Sequence, residues 1–297
     1  MNKDQIKIKL QALPFFKGSL DLKFIEGFMA NDNYIVSDDS NKYVVKIGGD
    51  KQDYGVVRSH EIEASKAGYK AGISPKVLYF DDSILVSQYI QSNHLTPEKV
   101  KAKETLKKII HLIKIVHKEV VNFLEGPNLS NDIFQMINVK IFHLKEKNNP
   151  HTDKLNKFIK ECEIFEKESK SYEKVFTHND FFYKNILDDD KKLWLIDWEF
   201  SGFNSPYLDL ANLSKNNEFS EDDDNFILEE YEGDSITSNS KFKLHLFKCV
   251  SLLNEVLWSM VSEISSKKVF DFVSYTNNML KRYEKQFDYY NSLRISI

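Results

Sequence analysis

The chain has only two cysteines, six prolines and ten glycines in 297 residues, no surplus of positive charge, and no long unbroken apolar run. Each shortage removes a class of protein. Cys162 and Cys249 match no metal-ligand spacing and fall in helix-like stretches, where a small buried thiol is the ordinary outcome, so neither a disulfide framework nor a zinc site is expected. Sparse proline and glycine without an internal repeat exclude a low-complexity linker. With 41 Lys and Arg against 45 Asp and Glu, the net charge is −4, whereas a dedicated nucleic-acid binder needs a basic surface to neutralise phosphates. No run reaches the roughly 18 apolar residues that span a bilayer, and the start, MNKDQIKIKLQALPFF, lacks the apolar core of a signal peptide. The expectation is a cytoplasmic protein that meets a small molecule, with no nucleic-acid or membrane partner. Its helices leave room for a homodimer, which periodicity does not separate from a core.

What is present is 41% hydrophobic residues, enough for one large core or two smaller ones joined by a hinge. The runs NYIVS and KYVVKI alternate in the manner of strands around the turn formers Asp38, Asp39, Ser40 and Asn41. A helical pattern runs from Gly55 to Ala71, and KVLYF and ILVSQYI add two strands around Asp81 and Asp82. Beyond residue 90 the pattern is mostly helical. Leu106, Ile109, Ile110, Ile113, Val116, Val120 and Leu124 recur at three and four residues, and further helices are expected near 152–170, 220–231, 242–264 and 269–292. Ser220 ahead of Glu221, Asp222 and Asp223 reads as a helix cap with acids in the first turn. The fold class is therefore α+β: a sheet-rich lobe over 1–90 with one helix, and a larger, mostly helical lobe over 91–297.

Between the helices lies VFTHNDFFYKNIL, then the turn Asp188-Asp189-Asp190, then KLWLIDWEF. Apolar flanks enclose polar groups, the pattern of buried strands whose loop ends line a cleft. Phosphoryl transfer from ATP needs a carboxylate to position the acceptor hydroxyl and oxygen ligands for Mg²⁺. Asp180 supplies the first. Asn185, five residues on, and Asp197, twelve residues further across a hairpin, supply the second.

His178-x-Asp180-x-x-x-x-Asn185 followed by Ile196-Asp197-Trp198-Glu199 resembles the catalytic core of kinase-like small-molecule phosphotransferases. HND with LIDWEFSGFNSPYLDLAN is most similar to choline and ethanolamine kinases, within the aminoglycoside-phosphotransferase-like and protein-kinase-like superfamily. MANDNYIV, YVVKI, GISPKVLYFD, SQYI and LLNEVLW extend the likeness in order over about nine tenths of the chain. The resemblance implies a protein-kinase-like two-lobe fold, ATP and Mg²⁺ as cofactors, and phosphorylation of choline, the N-terminal lobe binding the nucleotide and the C-terminal lobe the acceptor. It makes Asp180 the catalytic base, Asn185, Asp197 and Glu199 the metal group, and Lys46 the phosphate grip. Glu61, in preference to Glu63, becomes the partner of Lys46. His178 and Asp209 become braces of the loop.

Around the nucleotide, Gly27 is the one glycine between 27 and 33, so Asn31 and Asn33 are expected to shape the phosphate loop, and Gln88 and Ile90 to meet the adenine. A quaternary ammonium donates no hydrogen bond and is best held by aromatic faces and carboxylates. The acceptor contacts implied are Phe200, Glu199, Trp258, Phe270 and Tyr275, with Val261 where a second tryptophan is expected. Asn216 stands where a glutamate is expected, with Glu218 displaced by two positions. Taken singly, Trp258 reads as core and Lys46 as a solvent-facing strand lysine. Alternative acceptors are ethanolamine, thiamine or an aminoglycoside, and a rival of another class is a nucleotide-binding scaffold without catalysis.

Overall fold

The computed structural model describes residues 3–26, 31–126, 131–169, 173–233, 236–266 and 268–295, so Gly27 lies outside the described residues. Five antiparallel strands form the first sheet in the order β1-β2-β3-β5-β4, and two helices flank it. The elements are α1 (Lys3–Gln11), β1 (Asp21–Ile25), β2 (Asp32–Ser37), β3 (Lys42–Ile47), α2 (Arg58–Lys70), β4 (Val77–Phe80) and β5 (Ile84–Gln88). The β2–β3 turn closes because the Asp38 carboxylate accepts the main-chain N–H groups of Ser40 and Asn41 at 2.8 and 2.7 Å, a local substitute for ladder bonds. That turn fixes the register, placing Asn33 opposite Lys46. Ile6 and Leu10 of α1 pack with Leu22, Val36, Val45, Ile84 and Val86 on one sheet face.

Helix α2 belongs to the other core. Its Ala64 and Ala67 join the large cluster of the helical part. Gly68 permits that approach, since a Cβ there would stand 2.8 Å from both the Ser74 hydroxyl and the Trp198 ring.

The helical part comprises β6 (Asn93–His94), α3 (Pro97–Lys101), α4 (Lys103–Lys118), α5 (Ile133–Glu146), α6 (Thr152–Ser169), β7 (Val175–Thr177), β8 (Ile186–Asp188), β9 (Leu193–Leu195), β10 (Gly202–Asn204), α7 (Pro206–Asn216), α8 (Glu221–Glu232), α9 (Ser238–Ser265) and α10 (Phe272–Ile295). The stripe expected to run through Leu124 breaks at Lys118, and Val120 continues it from a short 3₁₀ turn. Ser220 caps α8 in a reciprocal capping box with Asp223. Both cysteines are free and buried. Helix α9 is the spine. It packs on α10, α7 and α5, and 83% of its most apolar stretch is buried inside the chain, although its length and composition would suit a membrane span.

Candidate active site

The loop after β7 is held from behind. Asp209, fully buried in the first turn of α7, accepts the main-chain N–H of His178 at 2.9 Å and of Asn179 at 2.7 Å, and the His117 ring lies 3.0 Å from the same carboxylate. Those bonds hold Asn179 in left-handed backbone at φ 66°, which asparagine tolerates better than most side chains. The His178 ring can only donate from Nε2 to the Ile196 carbonyl at 3.1 Å, so Nδ1 is left to accept the Asp180 N–H at 3.3 Å. It is a neutral brace. Burial keeps its pKa below the ordinary imidazole value against the pull of Asp209 and Asp197.

Asp180 thereby points into a cavity. Its Oδ2 accepts from the Asn185 amide at 2.8 Å, which leaves the amide oxygen of Asn185 as the ligand atom it can offer. Burial, then the charges of Asp197 and Glu255, push the Asp180 carboxyl up to about 7, against Lys215 and the Asn185 hydrogen bond.

Across the seam from the sheet, Lys46 on β3 donates to Glu61 of α2 and to Asp197, both at 2.5 Å, with Glu199 at 3.5 Å. Burial acts against its charge, but Asp197, Glu61 and Glu199 outweigh it and raise its pKa. Glu61 is gripped from its other oxygen by Arg58, while Glu63 pairs with Lys66 at 2.8 Å instead. Asp197 holds a left-handed φ of 71°, just after β9. Asn31 donates to Glu199 at 2.7 Å and accepts from Lys51 at 2.8 Å, tying the end of the loop before β2 to the acidic group. One oxygen each of Glu61, Asp197 and Glu199 falls within 4.8 Å of the others. Hard carboxylate oxygens at that spacing, with the Asn185 amide nearby, suit Mg²⁺ in chemistry.

Two cavities meet at this group. One, of about 290 Å³, lies under the sheet and is lined by Lys46, Glu61, Gln88, Tyr89 and Ile90. The other, of about 480 Å³, holds Asp180, Asn185, Glu199, Phe200, Trp258 and Tyr275. Asp197 and Asn33 line both. A neighbouring aromatic hollow brings Tyr54 and Phe272 to Trp258, at ring distances of 6.2 and 6.0 Å.

Two expected acceptor contacts stay outside. The Glu218 side chain is 75% exposed, because a left-handed turn after α7 swings it outward toward Arg282. Phe270 is 44% exposed and lies against Phe272 and Tyr275, behind the cavity wall. Val261 is fully buried in the main core, so the turn of α9 that faces the cavity beside Trp258 precedes it and carries Glu255. Glu255, Lys215 and Lys140 line the cavity without having been expected there. An acid and a lysine interrupting the apolar runs LLNEVLW and MINVKIF are the signal that could have found Glu255 and Lys140.

With this geometry in place, a family model for choline/ethanolamine kinase matches residues 22–243. Protein LicA of Haemophilus influenzae is 23% identical over 261 residues, covering 83% of this chain and 75% of that protein. The choline kinase LicA from Streptococcus pneumoniae superposes with a TM-score of 0.77 at 23% identity, over 98% of this chain and 99% of that one. A LicA solved in complex with AMP gives 0.78 at 23% identity, over 97% and 98%. The structural likenesses establish the fold, which is the protein-kinase-like one.

Proposed function

This chain belongs to the choline/ethanolamine kinase family, and from that premise we propose that it transfers the γ-phosphate of ATP to the hydroxyl of choline, giving phosphocholine and ADP. Membership makes it a phosphotransferase with an alcohol group as acceptor. The observation that supports the finer reading is the meeting of the two cavities at Asp197, with Lys46 on the sheet side and Asp180 on the other.

In this reading the nucleotide lies under the sheet, its adenine by the main chain of Gln88 and Ile90, and its phosphates at Lys46, which Glu61 keeps charged and aimed. Asp180 orients the acceptor hydroxyl and takes its proton as the bond from oxygen to the γ-phosphorus forms and the bond to ADP breaks. Asn185, Asp197 and Glu199 would hold Mg²⁺, which when bound neutralises charge on the phosphates. Trp258, Tyr275 and Phe200 offer ring faces to the ammonium.

The charge of the larger cavity bears on the acceptor. Among the described residues it carries four acidic side chains, Asp180, Asp197, Glu199 and Glu255, against four basic ones, Lys140, Lys184, Lys215 and Arg282. A balanced wall suits a small monocation better than a polycationic aminoglycoside. Ethanolamine is the second reading, favoured by Asn216 on the same wall, whose amide nitrogen donates to the Phe181 carbonyl and whose oxygen can accept a hydrogen bond that a primary ammonium donates and a quaternary one does not.

The test is phosphorus NMR of protein mixed with Mg-ATP and choline. Phosphocholine and ADP are expected in equal amounts, with the rate cut about 100-fold or more in Asp180→Ala. No phosphorylation of choline or ethanolamine above that variant would overturn the reading.

A further inference from the structure

Helix α9 places Glu255 one turn before Trp258, on the face that looks into the cavity with Asp180. Its carboxylate is fixed on both oxygens: Tyr275 donates to Oε1 at 2.5 Å and Lys215 to Oε2 at 3.0 Å. The pair is lopsided. The Glu255 side chain is 28% exposed and that of Lys215 only 4%, so of the two ends of the pair it is the negative one that is more open to the cavity both line. The Trp258 and Tyr275 rings pack edge to face, with centroids 6.2 Å apart, and line the same cavity.

Resting on the amino-alcohol reading above, we propose that Glu255 is the specificity-determining residue that selects a cationic acceptor, its fixed carboxylate meeting the ammonium beside the rings of Trp258 and Tyr275. Features of the wall make this the residue for the task. Glu199 already accepts from Asn31 and sits beside Lys46, and Asp180 is required at the hydroxyl. Asp197 is held by Lys46 at 2.5 Å, which leaves Glu255 as the remaining carboxylate of the cavity among the described residues. Burial alone would raise its pKa, but Lys215 and the Tyr275 hydroxyl lower it, so the charge persists in the cavity wall. A quaternary ammonium needs charge and π faces without a hydrogen bond, and a tyrosine-fixed carboxylate beside Trp258 offers both. The arrangement also orients the acceptor: an ammonium at Glu255 leaves the hydroxyl end of a short amino alcohol to Asp180, which lines the same cavity.

The experiment compares each amino alcohol with an uncharged acceptor of the same shape: choline with 3,3-dimethylbutan-1-ol, and ethanolamine with propan-1-ol. For whichever amine is turned over, the wild-type protein is expected to prefer the cation by at least about tenfold in kcat/KM, equivalent to about 1.4 kcal/mol. In Glu255→Gln the KM of the cation should rise about tenfold and that of the neutral alcohol stay within about twofold, while kcat, which feels the loss of a charge near Asp180, changes by the same factor for both alcohols. Equal changes of KM for both alcohols would assign Glu255 a packing role and overturn the proposal. So would a wild-type protein that does not distinguish the cation from its neutral counterpart, a result that needs no variant to fold. Failure to phosphorylate any of the four alcohols would strike the functional reading itself, a different outcome from loss of charge selectivity.

Discussion

Lys140 is fully buried, and among the described residues its ammonium meets only neutral oxygens, the Asn254 amide at 3.1 Å and the Met136 carbonyl at 3.4 Å. Desolvation pulls its pKa down to about 7, with Glu255 opposing. The folded protein therefore binds fewer protons than the unfolded chain between pH 7 and the ordinary lysine value, and this residue's contribution to stability rises with pH through that window. Its cost is largest below pH 7. Lys140→Met, which removes the charge at similar length, is expected to stabilise the fold at pH 6 by on the order of 2 kcal/mol, a gain that shrinks toward pH 10. Thermal unfolding of both proteins across that range checks it, and a gain independent of pH would contradict it. Asp180 shows the same tension in a carboxylate: burial and the charges of Asp197 and Glu255 push it up, and in the proposed reaction that makes it a better proton acceptor than an exposed one.

Helix α2 controls the site from a distance through its packing. Trp198 donates to the Ser74 hydroxyl at 2.8 Å, and Ser74 donates to the Leu195 carbonyl at 2.7 Å, so the segment carrying Asp197 is clipped beneath the helix at Gly68. Alanine at 68 would gain about 1 kcal/mol of helix propensity but lose about 1–3 kcal/mol to overpacking. Overpacking wins. Gly68→Ala should be on the order of 1 kcal/mol less stable in urea unfolding, with a shift in tryptophan emission.

The same scale shows what was legible in sequence. The β2–β3 hairpin, α2, and the helices α6, α8, α9 and α10 announce themselves through turn residues or amphipathic spacing. α7 does not, because Tyr207 through Lys215 are all buried and a helix covered on every side has no polar face to set a period. α5 is blurred the opposite way, by Val139 and Phe142 left exposed among its apolar residues. Within the site, Asp180, Asn185 and Asp197 are close enough in sequence for motif spacing to expose them. Glu255 lies 75 residues from Asp180 on a core helix, and only packing brings the two to one cavity.

At the scale of the whole molecule, Lys46 is one of the ties between sheet and helical part, since one ammonium bridges Glu61 and Asp197. The same contact makes it a resident counter-ion for the acidic group. A divalent cation alone must displace it, whereas a nucleotide offers it phosphate oxygens in exchange. Mg²⁺ by itself is therefore expected to leave Tm unchanged, while Mg-ADP at 100 times its Kd stabilises by about 2.7 kcal/mol. Lys46→Met should reverse the pattern, losing the response to nucleotide and gaining Mn²⁺ binding without it, because three carboxylates are left facing one another. Calorimetric titration of both proteins with metal and with metal-nucleotide decides between these outcomes.

Helix α9 carries a final consequence. Ser251, Asn254, Glu255 and Trp258 look into the larger cavity, while Val256, Leu257, Met260 and Val261 between and beyond them are wholly enclosed. On this helix, drift toward a new substrate is thus confined to a narrow ribbon of positions three and four apart. Change along that ribbon alters taste, and change one step to either side threatens the foundation.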